Sequence, residues 1–208
     1  MRLRSVTLAV LGVVALVLAG TAAAADEDVS SAYLADLYEG NLVPNSDFEL
    51  ASESNPNWPA DWDATFSLID FNRPAWDCTV AYSGNCSLRM SAPLEVEAAW
   101  VSPMIPVKPN TEYRFTGYVR TQGLTPEKAR FYGTFVIELF SDRGPLFPRP
   151  FAAGPNFEGD NDWTEVSFTF KTNARAEQLQ ISAVVGWGGR AKGHVWFDAI
   201  QLEEVVTE

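Results

Sequence analysis

An all-β sandwich of the jelly-roll type is the fold class this sequence predicts, on three observations. Short runs of β-branched and aromatic residues recur along most of the 208-residue chain. Pro, Gly, Asn and Asp punctuate those runs, and no long amphipathic helical pattern interrupts them. With 47% hydrophobic and 20% charged residues, the chain has ample material for a core. Its length suits one domain with an appendage.

The appendage comes first. Met1 to Ala25 carries Arg2 and Arg4, then an apolar run from Val6 to Leu18, then the small residues up to Ala25 ahead of Asp26-Glu27-Asp28. That order describes a secretory signal peptide cleaved after Ala25, because the apolar run is shorter than the roughly 20 residues that span a bilayer. Residues 26–40 form an acidic lead-in, either one or two helical turns docked on the body through Leu34, Leu37 and Tyr38, which share a face, or a disordered spacer. The body is expected over 41–208.

Within the body nine runs read as strands: Trp62 to Phe71, Cys78 to Tyr82, Ser87 to Ser91, Ala99 to Ile105, Glu112 to Thr121, Phe131 to Ser141, Thr164 to Thr172, Gln178 to Trp187 and His194 to Glu203. Thr125 to Ala129 reads as a helical turn opened by a threonine cap and a proline. Alternation sorts the faces. Tyr113, Phe115 and Val119 pack, and Arg114, Thr116, Tyr118 and Arg120 face water. Phe131, Phe135, Ile137 and Leu139 pack, leaving Tyr132, Thr134 and Glu138 outside; Gln178, Gln180 and Ser182 alternate with Leu179, Ile181 and Ala183. If these three strands share a sheet, its outer face mixes rings with hydrogen-bonding groups. That chemistry suits a sugar, whose apolar faces stack on aromatics and whose hydroxyls need oriented partners. An ordinary solvated face is the alternative.

Composition excludes other classes. With 27 acidic against 15 basic residues, a net charge of −12 and no basic run, nucleic acid is a poor partner. His194, the single histidine, cannot build a multi-histidine zinc site. Cys78 and Cys86, the only cysteines, are expected to form a disulfide in an oxidising compartment, a staple around Ser83-Gly84-Asn85. For glycosidic hydrolysis the candidate carboxylates are Glu95 with Glu97, in a turn region, and Glu138 with Asp142. No Gly-x-Ser-x-Gly elbow occurs and His194 lacks an evident partner, so the chain is not expected to be an enzyme.

Among the tryptophans, Trp100, Trp163 and Trp196 read as core. Trp187, in Gly186-Trp187-Gly188-Gly189-Arg190, reads as exposed on a glycine-flexed hairpin tip. Trp58, Trp62 and Trp76 sit in loops as ring platforms or as packing over the sandwich edge. Phe147, Pro148, Pro150 and Phe151 form another candidate cleft rim.

Several segments carry a family resemblance. Asn41 to Glu49, Thr79 to Arg89, Val107 to Phe115, Asp162 to Phe170 and Gly193 to Glu203 resemble, in order, the recurring motifs of carbohydrate-binding modules with the galactose-binding-like jelly-roll fold, such as families 4, 9 and 22. The resemblance implies that fold over nearly the whole body. It also implies a structural calcium held by Glu49, Asp198, Asp47 and the segment from Ser83 to Asn85, which suits an ion that takes six to eight oxygens. Ala199 stands where the family has a second acidic residue. Alternatively, Glu49 and Asp198 simply accept hydrogen bonds from strand-end amides.

The expected function is that of a secreted, periplasmic or extracellular non-catalytic protein that binds a poly- or oligosaccharide. Tyr118, Arg120, Tyr132, Glu138 and Trp187 are the expected contacts. An extracellular structural or protein-interaction domain is the alternative, with other secreted proteins as partners; a glycan-active hydrolase or lyase ranks below both. No membrane association is expected after signal cleavage.

Overall fold

The computed structural model describes residues 40–66 and 73–206. The expected signal peptide, nearly all of the acidic lead-in and the end of the run from Trp62 to Phe71 lie outside the described residues. Ten strands follow in chain order: β1 (Asp63–Phe66), β2 (Arg73–Asp77), β3 (Ser87–Val101), β4 (Ile105–Pro106), β5 (Glu112–Glu127), β6 (Phe131–Ser141), β7 (Gly144–Pro145), β8 (Phe151–Ala153), β9 (Gly159–Lys171) and β10 (Gln178–Glu204). All are antiparallel, and no helix occurs among the described residues.

Two long strands pass through both layers of this jelly-roll sandwich. In the first layer, β8 pairs with β6, β6 with residues 178–187 of β10, that half of β10 with the end of β3, and the end of β3 with β1. In the second, β9 pairs with β5, β5 with residues 190–204 of β10, that half with the start of β3, and β3 with β2. Alternation puts Tyr113, Phe115 and Val119 of β5, Phe135 and Ile137 of β6, and Ile181, Val195 and Phe197 of β10 into one core between the layers. Phe135 joins the layers by meeting Phe115 at 5.0 Å and Phe197 at 5.2 Å. Burying each such side chain stabilises by about 1.5–3 kcal/mol.

Several expectations change here. The runs Ser87 to Ser91 and Ala99 to Ile105 are largely one strand, β3, so Glu95 and Glu97 lie on a strand rather than in a turn. The runs Gln178 to Trp187 and His194 to Glu203 are also one strand, so Trp187 is at the bend where β10 changes layer, not at a hairpin tip. Cys78 to Tyr82 is turn and bend, and the expected helical turn from Thr125 is extended chain through Glu127.

Glycine makes the change of layer possible. Gly189 has φ 152°, and a Cβ there would sit inside the carbonyl group of Lys128, the residue just past the end of β5. Gly123 also has a positive φ, 59°, but open space around it. Gly189→Ala is therefore expected to destabilise by at least about 2 kcal/mol, from strain plus collision. Gly123→Ala should lose only about 1 kcal/mol, from the left-handed backbone alone. Urea unfolding of the two variants checks this; equal losses would show that the close approach at Gly189 does not matter.

Candidate functional site

The outer side of the first layer carries a second, smaller apolar cluster. Ala99, Val136 and Val184 are buried there, with Val101, Phe131, Phe151, Ala153 and Trp187 packed around them. Three rings close the group: Phe131 stacks on Trp187 at 5.6 Å, and Phe151 meets Phe131 edge-on at 5.5 Å and Trp187 at 5.9 Å. All three are half-buried, so part of each ring faces solvent. The Arg130 guanidinium lies over Phe151 at 4.6 Å and Phe131 at 5.2 Å. Beside the rings, Glu138 is paired across strands with Phe151 and Gln180. Glu138 Oε1 meets Arg149 Nη1 at 3.5 Å, and Gln180 Nε2 donates to the Ser102 carbonyl at 2.9 Å.

The residues expected to form one surface are divided by the sandwich. Glu138 and Trp187 share this outer side. Tyr132 packs toward the main core instead, because Gly133 takes a positive φ of 56° and breaks the alternation of β6 there, and the same break turns Phe131 outward. Tyr118 and Arg120 stand on the opposite layer, because β5 pairs with the other half of β10 and not with β6. The aromatic group was only partly visible in advance, through Trp187 and the rim residue Phe151. Phe131 was assigned to the core by alternation, and nothing in the sequence marks Arg130.

On the second layer Tyr118 is covered. Its ring lies 3.6 Å from that of Tyr82, and its hydroxyl donates to Glu165 Oε2 at 3.1 Å. The Tyr82 hydroxyl, burial and Glu165 together raise the Tyr118 phenol well above its ordinary value. Trp163, expected in the core, is instead half-buried and meets Tyr82 edge-on at 6.0 Å. Trp58, Trp62 and Trp76 are not open platforms: their indole N–H groups donate to the carbonyls of Trp62 (3.0 Å), Pro44 (3.2 Å) and Phe48 (2.6 Å).

Tyr82 belongs to the loop closed by the Cys78–Cys86 disulfide, which forms as expected. Two carboxylates hold that loop. Asp198 Oδ2 accepts from the amides of Tyr82 (2.7 Å) and Ser83 (3.1 Å), and Oδ1 from that of Ala199 (2.7 Å). Glu49 Oε1 accepts from the amides of Asn85 and Cys86, both at 2.8 Å, and Oε2 from Asn85 Nδ2 at 2.9 Å. Gly84 fits because it has no side chain: a Cβ would lie 2.6 Å from Glu49 Oε1. Asp47 Oδ1 accepts from the Glu49 amide at 3.4 Å. Burial, with the Glu49 charge nearby, pushes Asp198 up to about 7 against the pull of its amide donors. Among the described residues no group of three His, Cys, Asp or Glu side chains converges as a metal cage. All four carboxylate oxygens of Glu49 and Asp198 accept N–H donors, so a cation here would have to share these two carboxylates with the loop amides.

The class the geometry defines is an all-β, two-layer jelly roll with a ring cluster on one face and an acid-clamped loop on the other. The family model for "Carbohydrate binding domain" matches residues 40–189, and the chain belongs to that family. No curated protein matches it. Among solved structures, the xylan-binding domain CBM22-1 of Paenibacillus barcinonensis Xyn10C superposes with TM-score 0.50 at 15% identity, over 78% of this chain and 94% of that one. A structure described as "CBM4 structure and function" gives TM-score 0.50 at 15% identity, over 78% and 99%. The enzymatically active domain of tailspike protein 4 of bacteriophage CBA120 gives 0.58 at 12% identity, over 80% of this chain but only 22% of that one. At these identities the likeness shows the fold alone.

One buried carboxylate outside both sites has a defined acid response. Burial alone would raise Asp77, but hydrogen bonds from Thr79 (2.6 and 3.0 Å) and Trp196 Nε1 (3.0 Å), then the charge of Arg89, outweigh it and hold Asp77 below its ordinary value. A depressed carboxylate contributes stability above its unfolded pKa of about 3.9 and loses it as pH falls through the folded value. Asp77→Asn is expected to melt below the parent at neutral pH, and the gap should narrow as pH drops below about 4. Melting curves across that range check it; a constant gap would remove the charge from the account.

Proposed function

We propose that this chain is a non-catalytic module that binds a poly- or oligosaccharide on the outer side of the first layer. Partly exposed rings of Phe131, Phe151 and Trp187 beside Glu138, Gln180 and Arg149 are the observation that carries the reading. The rings offer apolar faces to a pyranose, and the polar groups beside them can orient its hydroxyls. Arg130 covers two of the rings in the free protein, and moving it aside costs about 0.5–1 kcal/mol for an exposed cation–π contact. The carboxylates considered for hydrolysis have other uses: Glu97 accepts from the Gly188 amide at 3.0 Å, and Glu138 is paired with Arg149.

Export completes the reading. Residues 1–25 have the composition of a signal peptide, and the Cys78–Cys86 disulfide persists in an oxidising compartment rather than a reducing one. We also propose that Glu49 and Asp198 hold a structural calcium ion against the 82–86 loop, where the ion would relieve the repulsion between the two carboxylates.

Trp187→Ala should weaken polysaccharide binding by at least about tenfold in affinity electrophoresis, as loss of a central aromatic contact does. Arg130→Ala, which uncovers the rings, should bind at least as well as the parent. Full binding by Trp187→Ala would move the site off this face. For the metal, EDTA-treated protein should gain melting temperature as calcium is added, in proportion to the logarithm of its concentration; an unchanged melt disposes of the ion.

A further inference from the structure

The second layer has a depression of its own, on the side of the sandwich opposite the ring cluster. Register places two cross-strand rows there. Arg120, Trp196 and Arg89 lie side by side on β5, β10 and β3, and Gln122, His194 and Ser91 form the next row. Adjacent strands are about 4.8 Å apart and same-face neighbours along a strand about 6.8 Å, so the six side chains border an area of sugar-ring size. Arg89, Ser91, Pro93, Gln122, His194 and Trp196 line a cavity of about 560 Å³. That lies within the usual range for small-molecule sites.

Its charge runs against that of the chain. In a protein with net charge −12, two arginines flank one indole here. Arg120 lies over the Trp196 ring at 5.7 Å and makes no ion pair among the described residues. Arg89 Nη1 meets Asp77 Oδ2 at 3.1 Å, but Asp77 is nearly fully buried and already accepts from Thr79 and Trp196. Arg89 Nε is buried without a hydrogen-bond partner, so the guanidinium is under-used. His194 Nδ1 and Ser91 Oγ share a hydrogen bond of 2.9 Å at the rim. Donors thus outnumber acceptors in the lining, and two planar cationic forks suited to a carboxylate stand there, Arg89 in the lining itself and Arg120 next to it over the Trp196 ring.

We propose that this cavity binds the carboxylate of a uronic-acid residue in an acidic saccharide. Arg120 and Arg89 would hold the carboxylate, and Gln122, His194 and Ser91 the ring hydroxyls. The inference does not depend on the ring cluster of the first layer, which shares none of these residues.

The test titrates the whole protein with a short oligogalacturonate, with the matching neutral galacto-oligosaccharide and with inorganic sulfate, by calorimetry and by amide chemical shifts. Expected are binding of the uronate at least about tenfold tighter than of the neutral sugar, weakening with added salt, and shifts centred on residues 89–91, 120–122 and 194–196. Arg120→Gln and His194→Ala should each weaken uronate binding, the former by about tenfold or more, with melting temperatures kept. Both residues are exposed enough to change without opening the core. Equal affinity for the neutral sugar, equal affinity for sulfate, shifts centred on Phe131 and Trp187, or unchanged binding by both variants would each overturn the proposal. Loss of uronate binding in Trp187→Ala would place the acid on the first layer and overturn it as well.

Discussion

Everything in this fold depends on two strands being able to belong to both layers. β3 and β10 each pair in the first layer with one part of their length and in the second with the rest, so the sandwich is held by continuous backbone as well as by side-chain packing. The constraint is steric. β10 changes direction where Gly189 runs against the Lys128 carbonyl, a spot with no volume for a side chain. Phe115, Phe135 and Phe197 can meet across the core only because the layers are brought face to face by those bends.

The clamped loop is a second-order solution to a related problem. Residues 78–86 have few ladder hydrogen bonds of their own, and a disulfide alone fixes only their ends. Glu49 and Asp198 supply acceptors for the amides in between, from two segments far apart in sequence. Asn41 and Asn45 perform similar work nearby: Asn41 bonds the Ile200 carbonyl and the Leu202 amide, and Asn45 the Leu50 amide and carbonyl. The start of the body is thereby fastened to its last strand. Buried amides that would otherwise lack partners are satisfied by side chains, as interiors require.

Much of this was legible in the sequence. The all-β class follows from recurring short apolar runs and frequent turn residues, and the disulfide from an isolated cysteine pair; for Glu49 and Asp198 the motifs point to a metal, and the amide-acceptor role is only the alternative beside it. Layer assignment was not legible. Alternation tells which side of a strand is apolar, but it does not tell which strand lies beside it, so Tyr118 and Tyr132 could be read onto one surface when the sandwich puts them apart. Reading β10 as two strands compounded the error, because a run of glycines marks a tip and a bend equally well. The loop tryptophans failed for another reason: an indole N–H that finds a carbonyl can be packed inside, and no local pattern reports that distant partner.

Arg130 decides how the ring-bearing face meets water. Three partly exposed rings on one face are the sort of patch by which proteins stick to one another. A guanidinium laid over Phe131 and Phe151 gives that patch a hydrated, charged lid on a freely rotating stem. The same surface can therefore stay wet and non-adhesive in solution and still become apolar when the arginine swings away, so the colloidal behaviour of this face is set by one side chain.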